Sequence, residues 1–377
     1  MANAGGVRQD KTRFIVGDLE STVGTFKFDP SSPTGSELRL PARGESRLMP
    51  QDGEMISNSE AIDGYAGAIA ATRGAVGMGG TLATELRGNS ATNVFPTHVK
   101  QLLASGFEAS AYSNPALTLI PSTKTLTNWP GETGGTRSPA SMSLAECLID
   151  NNTADEWVGV RGAVLSTKIN LSTNGLAIYE SAVTGQVVND LFLDVSDTDL
   201  SGFGAEPTGQ GAIPAVVKGA TMVIKYWDDN THSSGTTITP AGVAELAIDL
   251  APTVSRVVDP TATNGFTTAP VFYDGAVGVT LRFADSSDYS GSGLGAGTIM
   301  AGFKSGRGFL SVALTLTLAE FSTANQTIKF DVPCIQYSAE RDAQDGGRAF
   351  SFTGEGSRRN RGSSTPVITV TYTHGTV

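Results

Sequence analysis

Apolar and polar residues alternate over many short stretches of the chain, and this two-residue period is typical of β-strands with one buried face. The clearest stretch is 367–373, in which Ile368, Val370 and Tyr372 alternate with valine and threonine. The pattern predicts a mainly β protein. Strands are predicted over these ranges: 12–19, 140–149, 157–171, 176–188, 220–227, 269–283, 309–320, 326–337 and 349–354.

One segment shows helical spacing instead. Val99, Leu102 and Leu103 lie at positions i, i+3 and i+4, Pro96 suits a first turn, and Gly106 suits the residue after a helix end. These residues predict a short amphipathic helix that covers a β unit.

A second helix is predicted to begin at Thr239-Pro240 and to end before Pro252. The apolar residues at helical spacing within it are Val243, Leu246, Ala247 and Leu250.

Three segments are predicted to lie outside the strands. Residues 29–52 are rich in proline, serine and arginine, and we interpret them as an interaction arm that contacts another subunit. Residues 110–140 are predicted to be a polar loop region. Residues 196–211 hold glycine and proline with few large apolar residues, which predicts a linker.

Two pairs of short strings indicate an internal repeat. Ser143–Cys147 matches Thr317–Phe321 in residue class, and Ala182–Gln186 matches Ser351–Glu355 at a similar offset. We therefore predict two tandem β units, 1–195 and 212–377, with Glu146 and Glu320 at equivalent places.

Composition narrows the function. The 377 residues include 45 glycines, only 17% are charged, and the net charge is −11. An acidic chain is a poor match for proteins that grip nucleic acid by neutralising phosphates. It is compatible with a wall past which DNA slides.

The two cysteines, Cys147 and Cys334, are too few for a disulfide framework and are predicted to be free and buried. The first residues lack a basic segment followed by an apolar one, and no apolar run approaches a membrane span. These features predict synthesis and assembly in a reducing cytoplasm.

No catalytic constellation is visible, so the chain is predicted not to be an enzyme. The three histidines, His98, His232 and His374, have no nucleophile beside them and no Gly-x-Ser-x-Gly elbow. The glycines of 291–297 lack the lysine-serine or lysine-threonine pair of a phosphate loop, which favours a mobile loop or a hairpin tip.

Two groups of charged residues are candidate ligand sites. The acidic residues lack EF-hand spacing, which favours solvated loops over a calcium site; they are Asp194, Asp197, Asp199, Asp285 and Asp288. The basic run Arg358, Arg359 and Arg361 could bind phosphate or pair with carboxylates of a neighbouring subunit. No catalytic, cofactor-binding or metal residue is predicted.

Three passages resemble the tail tube proteins of long-tailed bacteriophages, in a two-copy form. They are Gly64–Ile69 with the helix after it, Glu156–Gly162 leading into a strand to Ser172, and Phe330–Ile335 leading to Phe350–Gly354.

The resemblance implies β-sandwich or barrel-like units that join between subunits into a continuous inner β-barrel. Stacked rings would then form the virion tail conduit for double-stranded DNA, which passes without specific binding. A trimer with pseudo-six-fold symmetry is favoured, a hexamer is the alternative, and other tail proteins would be partners.

Two alternatives stay open. The chain could be another virion structural protein, such as a capsid decoration or tail-tip hub protein. It could also be a carbohydrate-binding β-sandwich adhesin, which needs clustered exposed aromatic residues. The tryptophans are scattered along the chain, at Trp129, Trp157 and Trp227, which makes the adhesin alternative less favoured.

Overall fold

The structure is a computed structural model, and it is mainly β, as the alternation predicts. It describes these residues: 13–28, 39–51, 55–56, 72–73, 77–87, 97–113, 116–121, 140–148, 155–172, 175–188, 193–195, 220–227, 236–238, 243–250, 252–255, 271–275, 277–284, 308–318, 326–344, 347–357 and 366–373.

Up to residue 195, the described residues form eleven strands and one helix. They are β1 (Arg13–Leu19), β2 (Arg47–Gln51), β3 (Met55–Ile56), β4 (Thr72–Arg73), β5 (Gly77–Glu85), α1 (Thr97–Ala104), β6 (Phe107–Ser113), β7 (Ala116–Pro121), β8 (Met142–Leu148), β9 (Asp155–Ser172), β10 (Ile178–Val187) and β11 (Leu193–Val195).

The part from residue 220 onward contains ten described strands. They are β12 (Thr221–Trp227), β13 (Thr236–Ile238), β14 (Val243–Leu250), β15 (Pro252–Ser255), β16 (Val271–Gly275), β17 (Gly278–Ala284), β18 (Phe309–Leu318), β19 (Gln326–Gln344), β20 (Gly347–Gly356) and β21 (Thr369–Thr373).

Seventeen of these strands belong to one antiparallel sheet, and β3–β4 and β15–β16 form two small separate sheets. The pairings of the large sheet branch without returning to their starting strand, so the described sheet does not close into a barrel. The described strands of the single chain therefore do not show the barrel-like closure that the family resemblance implies.

The long strand β9 organises the first part. Its first half pairs with β8 on one edge, and the opposite edge pairs with β11 and then β10. A bulge at Gly162 (φ 57°) breaks the β8 register. The Glu20 carboxylate accepts the Gly162 N–H at 2.7 Å and the Ser143 hydroxyl at 2.9 Å, which holds the bulge in place.

The long strand β19 organises the second part in the same manner. Its first half pairs with β18 on one edge, and its opposite edge pairs with β21 and then β20. The β18 register also shifts, between the pairs Leu310–Ile335 and Val312–Val332. Pro333 lies in this bulge, a place where a residue without an N–H is tolerated within a sheet.

Two main cores lie within these strands. One contains Leu48, Leu144 and Val160 of the first part, and the larger one contains Phe330 and Phe352 of the second part. The larger core also includes α1 and the second half of β9, so the first part of the chain contributes directly to the second core.

The first predicted helix is confirmed and the second is wrong. In α1, Val99 and Leu102 are buried, and Gly106 follows the helix with φ 84°. Residues 243–250 instead form β14, because Leu246 and Leu250 also fit a period of two and the segment has a strand on each edge. Residues 88–96, where α1 was expected to begin, lie outside the described residues.

Two loop predictions need correction. Residues 107–113 and 116–121 form the hairpin β6–β7, so the region 110–140 begins with strands; residues 122–139 lie outside the described residues. The described part of the arm, 39–51, is not separate from its own chain, because Leu40 and Leu48 belong to the first core; its contact with another subunit stays a prediction. Residues 29–38 and the linker 196–211 lie outside the described residues.

Candidate assembly interface

The second half of β9 joins the two parts of the chain. Glu245–Leu250 of β14 pairs with Thr167–Ser172 of β9. This is the edge of β9 whose first half pairs with β8. Lys168 lies opposite Asp249 in this register, so opposite charges face each other across the junction. The hairpin strand β7 forms a second junction by pairing with β21.

The corresponding stretch of β19 has a different environment. Ala339–Gln344 pairs with β20 on one edge. The opposite edge of β19 pairs with β18 over its first half. Over Ala339–Gln344, no described strand pairs with that edge. A strand edge of this kind presents N–H and C=O groups in the geometry that binds another strand.

A second such edge belongs to β2. This strand pairs with β5, and no described strand pairs with its other edge. Met49 is 60% exposed, an unusual environment for a large apolar side chain. The Leu48 N–H donates to Glu146 Oε2 at 2.7 Å rather than to β5, so the Leu48 backbone faces the outer edge.

Glu146 is itself part of a buried ion pair. Its Oε1 accepts from Arg13 Nη1 at 3.0 Å, and the side chains are only 3% and 8% exposed. Arg13 Nη2 also donates to the Gly44 carbonyl at 2.6 Å. The carboxylate therefore neutralises a buried guanidinium and satisfies an edge N–H of β2 at the same time.

A cleft of about 400 Å³ lies beside this ion pair and is lined by four arginines. They are Arg13, Arg39, Arg43 and Arg87. Two of them bind the same carboxylate, because Arg43 and Arg87 contact Glu85 at 3.4 and 2.7 Å, and Arg39 lies over the Phe14 ring at 4.0 Å. The charges of the cleft are thus largely engaged within the chain.

A third charged cluster attaches α1 to β1. Asp18 accepts from Lys100 Nζ at 2.7 Å, from Lys27 Nζ and from the Leu19 N–H at 2.8 Å. Burial raises the pKa of Asp18, but the hydrogen bonds from Lys100 and Lys27 and the charge of Lys100 outweigh it. The pKa of Asp18 therefore lies below its ordinary value.

Asp18→Asn is expected to flatten the acid side of the stability profile. Because the pKa of Asp18 is lowered by folding, its contribution is present at neutral pH and is lost as the pH falls through the folded-state pKa. Urea unfolding from pH 7 down to about pH 3 should show a shallower decline for the variant. An unchanged decline would mean that Asp18 does not contribute to acid sensitivity.

Of the candidate ligand residues predicted from the sequence, the structure describes His98 and Asp194, which lie in different elements. His98 lies in α1 and Asp194 in β11. The others lie outside the described residues: His232, His374, Asp197, Asp199, Asp285, Asp288, 291–297, Arg358, Arg359 and Arg361. Among the residues that the structure describes, no group of three or more metal-ligating side chains could hold an ion.

The cysteine prediction is confirmed, since Cys147 and Cys334 are both buried and neither forms a disulfide. The described tryptophans do not form an exposed aromatic cluster. Trp157 is buried and stacks on Phe26 with ring centroids 5.6 Å apart, whereas Trp227 donates its indole N–H to the Ser311 hydroxyl at 3.2 Å. Trp129 lies outside the described residues.

The sequence analysis does not predict the buried Arg13–Glu146 ion pair, since Glu146 stands out there only as part of a repeated string. A signal was available, because a single carboxylate inside the apolar strand Met142–Leu148 requires a buried partner.

Neither a protein-family model nor a curated protein matches the chain. Within the described ranges, no helix has the length and apolar character that crossing a bilayer requires.

Proposed function

We propose that the chain is a structural protein built from two copies of one β unit, and that copies of the chain assemble into stacked rings. The observation that carries this proposal is a strand-pairing network that recurs in the same chain order. β1, β2, β3, β4, β5, β8, β9, β10 and β11 correspond to β12, β14, β15, β16, β17, β18, β19, β20 and β21.

The same pairs of strands are neighbours in both sets. The pairings β1–β8, β2–β5, β3–β4 and β5–β10 correspond to β12–β18, β14–β17, β15–β16 and β17–β20. The pairings β8–β9, β9–β10 and β9–β11 correspond to β18–β19, β19–β20 and β19–β21. Unrelated folds would not repeat so many partners in order.

The bulges give this correspondence a residue register. Ala163 opposite Met142 corresponds to Ile335 opposite Leu310, and the register shift follows at the same point in both. The same register aligns β10 with β20, which in turn pair with β5 and β17. In β5 and β17 it aligns Gly79-Gly80-Thr81-Leu82 with Gly278-Val279-Thr280-Leu281.

The register changes one prediction. In the proposed register, the bulges align Glu146 with Leu314, so the proposal takes Leu314 rather than Glu320 as the equivalent of Glu146. Glu320 itself lies outside the described residues.

The family resemblance extends the proposal to the tail tube of a long-tailed bacteriophage. The rings would form the virion conduit for double-stranded DNA, and three two-copy chains would give pseudo-six-fold symmetry. A net charge of −11 supports a wall that DNA passes without binding, since a basic wall would retain it in low salt. Assembly would take place in the host cytoplasm with other tail proteins.

Negative-stain electron microscopy of the purified chain tests this function. We expect rings or tubes with a central hole, and class averages with three-fold or pseudo-six-fold symmetry. A protein that stays monomeric over a wide concentration range would contradict the ring. Solid disks or caps without a channel would favour a decoration or hub protein.

A further inference from the structure

We propose that the edge Ala339–Gln344 of β19 in one copy of this chain receives β2 of a second copy as an antiparallel partner, with Arg47–Pro50 opposite Ala339–Asp342. The inference rests on the proposed two-unit organisation, and it specifies which edges join and in which register. The occupant of both edges is another molecule of the same chain.

The intrachain junction supplies the template. The stretch of β9 that corresponds to Ala339–Gln344 is Thr167–Ser172, and its edge is covered by β14. The strand of the first unit that corresponds to β14 is β2, because β14 pairs with β17 as β2 pairs with β5. The first unit thus receives a strand from the second unit of its own chain, and the second unit would receive one from the next chain.

The register follows from the same correspondence. The observed pair Lys168–Asp249 corresponds to the proposed pair Glu340–Met49 between copies. The observed pair Asn170–Ala247 corresponds to the proposed pair Asp342–Arg47. The latter places opposite charges directly across the new junction, as the lysine–aspartate pair does in the intrachain junction.

The outer edge of β2 is protected in the single chain. The Glu146 carboxylate accepts the hydrogen bond from the Leu48 N–H, and Pro50 has no N–H donor. Both features disfavour pairing of this edge with a wrong strand. In the proposed junction, the Arg341 carbonyl would replace Glu146 as the acceptor for Leu48, because Ile248, which corresponds to Leu48, lies opposite Ile169 in the intrachain junction.

The contact is heterologous, since one copy offers β19 and the next offers β2. Repetition of such a contact gives a closed ring when the rotation closes and an open filament when it does not. The intrachain junction uses the same kind of contact between the two units, so each chain would supply two successive steps around the ring.

A cysteine pair tests the register in the assembled full-length chain. The Leu48 backbone faces the outer edge, so Met49 and Glu340 would form a non-hydrogen-bonded pair, whose Cα atoms are about 4.5 Å apart. That spacing suits a disulfide. Met49→Cys combined with Glu340→Cys should therefore produce a ladder of covalent oligomers under mild oxidation.

Two matched pairs control the experiment. Lys168→Cys with Asp249→Cys lies at the corresponding intrachain position and should close without raising the chain mass. Met49→Cys with Arg341→Cys is shifted by one residue, which turns the side chain to the other face of the strand. We expect the in-register pair to give at least about tenfold more intermolecular product than this shifted pair.

The outcomes separate the junction from the function. Rings by microscopy with equal cross-linking of both intermolecular pairs would overturn the junction and leave the ring-forming function standing. Absence of both rings and cross-links, with the intrachain control intact, would overturn both. Preferential cross-linking of Met49→Cys with Glu340→Cys in ring-forming protein would support the junction.

Discussion

Replacing Glu146 by leucine is expected to lower the free energy of unfolding by about 3–5 kcal/mol, the usual effect of breaking a buried ion pair from one side. The Arg13 guanidinium, only 8% exposed, would lose the carboxylate 3.0 Å away. The Leu48 N–H would lose its acceptor as well. Urea unfolding followed by tryptophan fluorescence measures the change.

The double variant Arg13→Met with Glu146→Leu separates charge from packing. Leucine is chosen because the proposed correspondence of the two units aligns Glu146 with Leu314, which is fully buried. If the penalty comes from the uncompensated charge, the double variant should regain more than half of the lost stability.

The exposed pair Arg43–Glu45 provides a comparison. Its side chains are 33% and 55% exposed, so Glu45→Gln should change stability by less than about 1 kcal/mol. A Glu146→Leu effect of the same small size would mean that Arg13 finds solvent when its partner is removed.

The strands were largely predictable because their pattern is local. β1, β8, β10, β12 and β18 match the ranges expected from alternating apolar residues. The predicted strand 326–337 continues to Gln344, since β20 pairs along its whole second half. Where a strand has a partner along its length, pairing extends it beyond the segment with clear alternation.

The false helix at 243–250 shows the limit of a single periodicity. Val243, Leu246, Ala247 and Leu250 fit a helix, and Leu246, Ile248 and Leu250 fit a strand equally well. The strand conformation is favoured because β9 and β17 pair with the two edges of β14. These partners lie outside the segment, so its local pattern does not reveal them.

The Arg13–Glu146 pair and the strand edges could not be derived from local patterns. Arg13 and Glu146 are separated by 133 positions and meet only because β1 pairs with β8. The Gly-x-Thr-Leu strings at Gly79 and Gly278 are a sequence signal for the proposed repeat, and the aligned bulges are what favours this match over a chance similarity.

Gly80→Ala is expected to destabilise the first unit by about 2–4 kcal/mol, through backbone strain and overpacking together. Gly80 has φ 148°, a backbone conformation that residues other than glycine rarely adopt. A Cβ there would lie 2.2 Å from the Arg47 carbonyl oxygen, and backbone atoms cannot rotate away as a flexible side chain can.

The clash falls between β5 and β2, so relief would require β2 to move away from its partner strand. That movement would take Leu48 out of the core and displace the edge that carries Met49, so ring formation should fall together with stability. Gly44→Ala is the matched control, because a Cβ at Gly44 meets no heavy atom within 4 Å. Its unfolding midpoint should equal that of the parent chain. If Gly80→Ala also kept the parent midpoint and still formed rings, the β2–β5 register would be wrong, and with it the alignment of Met49 opposite Glu340.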